Sequence, residues 1–474
     1  MKQRRSAARS FTSDCSPVLV SRTPMRLAWF SPLPPHHSGI AAYSADVLPV
    51  LAAHHRIDAY VEGPATAARP VSGVAVRDTY DFSWSLPQEA HDLVVYQLGN
   101  DLCHDYMWPY MVRQPGLVVM HDAQLHQARA RGLIRKHRTQ DYVAEFVYSH
   151  PDAEPNLAAL VVAGLFGSSY YFWPMLRVPV EAARLVAVHN RWLAAYLLER
   201  FPMARITVIR MGVPDPLTSV AIAAEEVRRR HAVPGDAIVF AAFGQVTPAK
   251  GLTRVLAALA QVGETASRAH LLCVGETTAY YDIMAEAGQL GIADRVHVTG
   301  YVSDADLPSY LATADACLCL RWPTARETSA SWLRCVAAGK PTVISDLQHT
   351  ADVPSLDVRS MTPSSAAGSP SDPIAVRIDV MDEINMLRAA LRRLAEDGAL
   401  RSRLGEAARR YWREQATVDV MARDYEDALA LATALPVPTH PSDWPAHLVA
   451  DGAEKARAIA ASIGVGVPWL DAPV

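Results

Sequence analysis

The sequence predicts an α/β protein of two doubly wound parallel sheets facing each other across a cleft. Three observations predict it. Strand-like and helix-like segments alternate twice, over residues 25–213 and again over 214–415. The strand candidates, such as DLVVYQL, GLVVM and IVFAAF, are near-continuous apolar runs, as expected of strands covered by helices on both faces. Gly39, Asn100, His121, Gln245, Glu276 and the 321–327 loop all fall just past predicted strands, where open α/β sheets bind ligands. Both halves are therefore Rossmann-like.

In chain order, residues 1–24 are basic and Ser-rich without an apolar core, which excludes a secretory signal and predicts a disordered leader. Residues 25–31 form the first strand, and the loop PLPPHHSG leads into a helix over 42–53, with Gly39 allowing close backbone approach by a ligand. Strands at 55–61, 92–98 and 116–120 follow, the last two ending at Gly99–Asn100 and His121–Asp122. A helical insert spans 123–180. Within it, residues 156–176 are uncharged and rich in aromatics, too broken by Gly164, Gly167 and Pro174 for a good spanning helix. A buried helix is the first reading there, and a surface meeting lipid or an apolar acceptor the second. Strands at 184–188 and 206–209 flank a helix at 191–200, and a linker at 212–216 closes the half.

The second half repeats the alternation, with strands at 238–243, 271–274, 296–299, 314–320 and 342–345 and helices at 252–262, 280–290 and 330–338. Residues 361–373 are a flexible loop by composition. Helices are expected at 382–396 and 399–413. Residues 416–474 form a C-terminal helix and tail that cross back to the first half, with a last short helix at 452–463.

The organising stretch is LCLRWPTARETSASWLRCVAAGKP, residues 318–341. Thr328 and Ser329 are good N-caps, Trp332, Leu333 and Val336 share a helical face, and Gly339 and Pro341 stop the helix. A helix that starts after a strand offers amides to an anion, and Arg321, Arg326 and Lys340 add charge. This reads as a seat for a diphosphate; an ordinary strand–helix junction shows the same pattern.

At 474 residues the chain is long enough for two or three domains. It is 50% apolar and 20% charged with a net charge of −4, a soluble-enzyme composition that excludes bulk nucleic-acid binding. Cys317 and Cys319 lie two apart on one strand face, without zinc-ribbon spacing, and the six cysteines form no disulfide framework. A reducing, cytoplasmic location follows, peripheral to the inner face of the membrane if the 156–176 segment meets lipid.

With these motifs in place, the sequence resembles retaining family-4 glycosyltransferases of the GT-B fold, over residues 26–430. FGQVTPAKGLTRVLAAL, HLLCVGE, VHVTGYVSDADLPSYLATADACLCLR and the 318–341 stretch carry the resemblance by their order and spacing. It implies a nucleotide-diphosphate sugar as co-substrate on the second half, a hydroxyl acceptor on the first, no bound cofactor and no metal. Lys250 matches the lysine that neutralises the diphosphate, and Gly39 matches the loop that closes over it. Gly244, Gln245 and Glu276 fall on donor loops, and His121 matches a histidine beside the transferred sugar. Asn100, His104 and Asp122 face acceptor or sugar.

Two departures stand out. Gln245 replaces the family arginine, so Arg321 or Arg326 is expected to supply that charge. Aligned on Ala338–Gly339–Pro341, the two family glutamates fall on Arg326 and Arg334. Arg334 cannot accept from ribose hydroxyls, and a pairing with Glu327 or a phosphate is expected instead. Glu327, one residue late, takes the first glutamate's catalytic place beside Thr328 and Ser329. The alternatives are another GT-B enzyme, such as a sugar-nucleotide epimerase, or a non-catalytic GT-B scaffold.

Overall fold

The structure, a computed structural model, describes residues 23–85, 90–154, 156–219, 222–263, 266–364, 372–450 and 452–466. Residues 1–22 of the predicted leader and 365–371 of the predicted flexible loop lie outside the described residues.

The first sheet comprises β1 (Arg26–Phe30), β2 (Arg56–Val61), β3 (Val74–Asp78), β4 (Leu93–Leu98), β5 (Leu117–Met120), β6 (Leu185–Val188) and β7 (Ile206–Val208). Its order is β3-β2-β1-β4-β5-β6-β7, parallel throughout. The second comprises β8 (Ile238–Phe243), β9 (Ala269–Val274), β10 (Val296–Val298), β11 (Ala316–Cys319), β12 (Thr342–Ser345), β13 (Ser355–Asp357), β14 (Pro363–Ser364) and β15 (Ala375–Ile378). Its order is β10-β9-β8-β11-β12-β15-β13-β14, parallel except for the β13–β14 edge. The first sheet reverses winding direction at β1/β4 and the second at β8/β11, the topological switch points where such sheets open a crevice; in the second sheet the chain also turns back after β14 to insert β15 between β12 and β13.

Strand alternation divides each sheet between two cores. Leu27, Trp29, Val95 and Val119 face the helices Gly39–Leu51 and Val418–Ala434, while Ala28, Phe30, Tyr96 and Val118 face the opposite layer. All eight side chains are buried, which is why these strands read as continuous apolar runs. The helix Val418–Ala434 returns to the first sheet: Val213 N–H donates to Ala416 O at 2.9 Å, and the Trp29 and Tyr425 rings lie 5.3 Å apart. Gly212 permits the crossing, because a Cβ there would lie 2.2 Å from Thr417 O.

Four strands were not expected. β3, VAVRD, is only half-buried and carries two charges. β13, β14 and β15 have at most four residues each, and β14 lies inside the stretch expected to be a flexible loop. The helical insert also differs. It is broken into His126–Arg135, Thr139–Ser149, Asn156–Val162, a 3-10 turn Gly167–Phe172 and Arg177–Ala182. Left-handed backbone at His137, Gly164, Gly167 and Met175 makes the breaks. Residues 156–176 are therefore not one buried helix; Leu165 and Phe172 are 73% and 76% exposed. Among the described residues no helix is long and apolar enough to cross a membrane.

Candidate active site

At the end of β8 the chain turns through Gly244 (φ 87°) into the 3-10 turn Pro248–Lys250, and Gly251 (φ 67°) starts the helix Leu252–Leu259. Lys250 Nζ folds back to donate to Phe243 O. A Cβ on Gly244 would lie 3.0 Å from that Nζ and 3.7 Å from Ser331 Oγ, so the ammonium lies beside the start of the helix Ala330–Ala337. Ser329 caps this helix by accepting from Trp332 N–H at 3.2 Å. Burial, with the Arg321 guanidinium nearby, lowers Lys250 to about 8. Lys250, Arg321, Glu327, Thr328, Ser329 and Ser331 line one interdomain cavity of about 350 Å3.

The loop before this helix fastens the two sheets together. Ala123 N–H donates to Ala325 O at 2.8 Å. Asn190 Nδ2 donates to Arg326 O at 3.0 Å and to Thr328 Oγ1 at 3.2 Å, and Thr328 Oγ1 donates to His189 O at 3.3 Å. Glu327 is held on both oxygens: Oε2 accepts from Thr324 Oγ1 (2.9 Å) and Ala325 N–H (2.8 Å), and Oε1 pairs with Arg321 Nε (2.9 Å). Arg326, in left-handed backbone, stacks its guanidinium 4.0 Å from the Tyr196 ring centroid. Of the two arginines expected to stand in for the missing one at Gln245, Arg321 shares the cavity with Lys250 and Arg326 lies over Tyr196.

On the first sheet, a buried hydrogen-bond chain holds His121. His189 Nδ1 lies 2.9 Å from Ile209 O, which can only accept, so Nδ1 carries the proton. Burial keeps this ring neutral, at about 4, so its Nε2 is a lone pair and accepts from His121 Nδ1–H at 3.1 Å. Burial, with His189 and His104 nearby, also keeps His121 well below the usual histidine range. The His121 Nε2 lone pair therefore needs a donor from the Gln97 amide, 2.9 Å away. The structure places Gln97 Oε1 against His121 Nε2 and Gln97 Nε2 at 3.0 Å from Tyr425 OH; the histidine network requires the amide turned over, which brings the Gln97 carbonyl to Tyr425 OH, to which Tyr43 OH donates at 2.8 Å. Both ring nitrogens of His121 are thus occupied, and the ring orients the β5 end rather than presenting a nitrogen to the cleft. Tyr425→Phe should leave the Tyr43 hydroxyl and the Gln97 carbonyl without their buried partner. The expected cost is about 1–3 kcal/mol, measured as a lower melting temperature; an unchanged melt would show that the chain contributes nothing.

Asp122 follows His121. Burial and the facing Glu327 carboxylate raise it to about 6, against the Asn100 N–H that its Oδ2 accepts at 2.9 Å. The Asn100 side chain caps the next helix, accepting from Ala128 N–H at 3.0 Å. His104 Nδ1 donates to Gln97 O at 2.9 Å, and burial lowers the ring to about 4. Gly99 makes this convergence fit, because a Cβ there would strike Ile40 at 2.4 Å and crowd His104 and Asp122. Tyr171 joins the group: its phenol is raised by burial and then by Glu327, with Arg321 and Asp122 also acting on it. Only the composition of the insert hinted at Tyr171.

The remaining predicted residues lie outside this cavity. Gly39 is exposed at the start of its helix, with open space around it. Gln245 and Glu276 are exposed on neighbouring loops joined by Val246 N–H to Glu276 O at 2.8 Å. Arg334 corrects an expectation. It pairs with neither Glu327 nor the Lys250 cavity but with Asp304 at 3.1 Å and Asp46 at 3.9 Å. It lines a second interdomain cavity of about 460 Å3. On the same flank the His37 and Tyr301 rings stack across the cleft at 4.6 Å. Among the described residues no cluster of three His, Cys, Asp or Glu has the arrangement to hold a metal ion.

The fold and these loops agree with what comparison with known proteins finds. Residues 223–358 match the family model of glycosyl transferases group 1, and the architecture is that of GT-B glycosyltransferases. The lipopolysaccharide core biosynthesis glycosyltransferase LpsD of Rhizobium meliloti (strain 1021) is 30% identical over 192 residues, 39% of this chain and 48% of the relative. The matched region thus spans about half the length of that curated relative. Among solved structures, the lipopolysaccharide biosynthesis glycosyltransferase WaaG aligns with a TM-score of 0.56 at 15% identity, over 85% of this chain and 99% of its own. HepE of Anabaena, solved with UDP-glucose, aligns with a TM-score of 0.57 at 14% identity, over 86% and 99%. Sucrose-phosphate synthase from Thermosynechococcus elongatus aligns with a TM-score of 0.57 at 15% identity, over 86% and 98%.

Proposed function

We propose that the chain is a retaining, metal-independent glycosyltransferase of family-4 type, which moves a sugar from a nucleotide-diphosphate donor to a hydroxyl acceptor. The observation that carries this reading is the convergence of the Lys250 ammonium on the capped start of the helix Ala330–Ala337 inside an interdomain cavity. Fixed donors of this kind stabilise the charge that develops on a leaving diphosphate. The acceptor oxygen forms a bond to the anomeric carbon as that carbon's bond to the diphosphate oxygen breaks. The acceptor proton passes to the departing diphosphate. In the ETS loop, Glu327 accepts from sugar hydroxyls and Thr328 and Ser329 border the phosphates, with Arg321 as the second cation. Asp122 faces the acceptor side.

The HepE complexes make uridine the first base to test, and the name of LpsD points to an acceptor of the glycan class. The test is a thermal-shift panel of UDP, GDP, ADP, dTDP and CDP, because a ligand that binds only the folded state raises its melting temperature. One base should raise the melting temperature and the others should not. A panel without any shift rejects the reading. The arginines at both glutamate positions, Arg326 and Arg334, favour a scaffold as the second reading, and donor hydrolysis by the purified protein would remove it.

A further inference from the structure

One titratable group on the wall of the Lys250 cavity has no role in the proposed transfer: His349, on the 3-10 turn Gln348–Thr350 after β12. Thr350 Oγ1 holds this turn, accepting from Leu347 N–H at 3.1 Å and donating to Ser345 O at 2.9 Å. Ser345 Oγ in turn accepts from Arg321 N–H at 3.3 Å. Asp352, just past the turn, pairs with Arg191 on the helix after β6. The turn is thus fixed to both sides of the cavity. His349 itself is half-buried, and among the described residues neither of its ring nitrogens has a hydrogen-bond partner. Burial lowers the ring below the usual histidine range; of the charges facing it, Glu327 raises it, and Arg326 and Arg321 lower it.

The cavity holds little uncommitted positive charge. On its wall, Arg191 pairs with Asp352, Arg210 with Asp424 and Arg321 with Glu327. Among the described residues, Lys250 is the only lysine or arginine of the wall without a carboxylate partner. His189 is neutral, with its proton on Ile209 O. A nucleotide-diphosphate sugar carries a negative charge on each phosphate, so Lys250 alone leaves one of them uncompensated in a confined site, where that is costly. An anion in the cavity favours the charged form of a nearby imidazole, and His349 has both nitrogens free to respond.

We propose that His349 is a further donor-binding residue, which takes up a proton from solvent as the diphosphate enters and so supplies the second uncommitted positive charge beside Lys250. The proposal rests on the transfer reading above and adds a residue to its donor site. The empty cavity holds a neutral imidazole and the loaded cavity an imidazolium; the proton returns to solvent when the nucleotide leaves.

The test is calorimetric titration of the full chain at about pH 7 with UDP-glucose, or with the glucose ester of another diphosphate if the thermal panel selects one. Parallel titrations in PIPES and in Tris, which differ in ionisation enthalpy, count the protons exchanged. Lys250, at about 8, is already largely charged at this pH. Binding should take up about one proton per nucleotide sugar. His349→Gln, at a position without hydrogen bonds to lose, should keep the melting temperature of the empty chain, abolish the uptake and weaken binding by about tenfold, the loss of one charge-assisted contact. His349→Lys, charged beforehand, should restore the affinity without restoring the uptake. Binding without proton uptake by the wild type, or uptake and affinity unchanged in His349→Gln, overturns the proposal while leaving the transfer reading in place. A silent nucleotide panel removes both, so the two failures are distinguishable.

Discussion

Replacing Lys250 by Met should lower the transfer rate by about 10²–10³-fold, the loss typical when one fixed donor to a developing anion is removed. Under the proposed transfer reading nucleotide affinity should fall with it, because the ammonium would face the diphosphate before the bond breaks as well as during its departure. Methionine keeps the apolar stem that passes over Gly244, so the fold should survive. The pH dependence is a separate signature. In the folded chain, burial beside Arg321 brings the ammonium from its ordinary 10.5 to about 8. Between these values the unfolded chain holds a proton that the folded chain has released. Unfolding therefore takes up a proton, and the contribution of Lys250 to stability rises with pH across that window. Activity runs the other way: the rate should fall as pH passes 8, where the charge is lost. Lys250→Met should lack that alkaline limb. Bound diphosphate should push the limb to higher pH by favouring the charged form. A Lys250→Met enzyme with wild-type turnover would exclude the lysine from the site.

How far these roles could be read in advance depends on how local each signal is. β8 with its glycine turn, Lys250, and the Ser329-capped helix each lie within one short segment, and apolar runs with caps and glycine stops announce such segments. Arg334 could also have been placed by local reasoning. It follows Ser329 by five residues, a rotation of about 140° on a helix, so a side chain there faces away from anything Ser329 faces. Family alignment pointed to the ribose, and helical geometry to the second cavity. The chain from Tyr43 to His189 was beyond reach, since Gln97 and Tyr425 meet across 328 residues of sequence. β3 was missed because its VAVRD run is half-buried and charged, and β15 because it has only four residues after a Ser/Pro-rich stretch. The broken insert was misread because an uncharged aromatic run looks alike whether it forms a helix or covers one. Tyr171 shows the consequence, since its value lies in where the break at Gly167 aims it.

Glu327→Gln should reduce turnover by about 10²-fold if the carboxylate receives sugar hydroxyls as the bond breaks, while the nucleotide alone binds as before. Gln can still accept from Thr324 and Ala325 through its carbonyl oxygen, so the loop keeps its shape; what goes is the charge that pairs with Arg321. The same substitution makes an independent prediction at Asp122. That carboxyl stands at about 6, first through burial and second through the Glu327 charge. Between its ordinary 3.8 and about 6, the folded chain holds a proton that the unfolded chain has lost, so Asp122 weakens the fold as pH rises through that window. Removing the Glu327 charge should lower the Asp122 value and relieve part of that penalty at neutral pH. A purely structural Glu327 predicts a lower melting temperature with turnover unmoved, and a sugar-contacting Glu327 predicts lost turnover with the melting temperature nearly kept; the lowered Asp122 value accompanies both, because the two carboxyls interact in the chain without substrate.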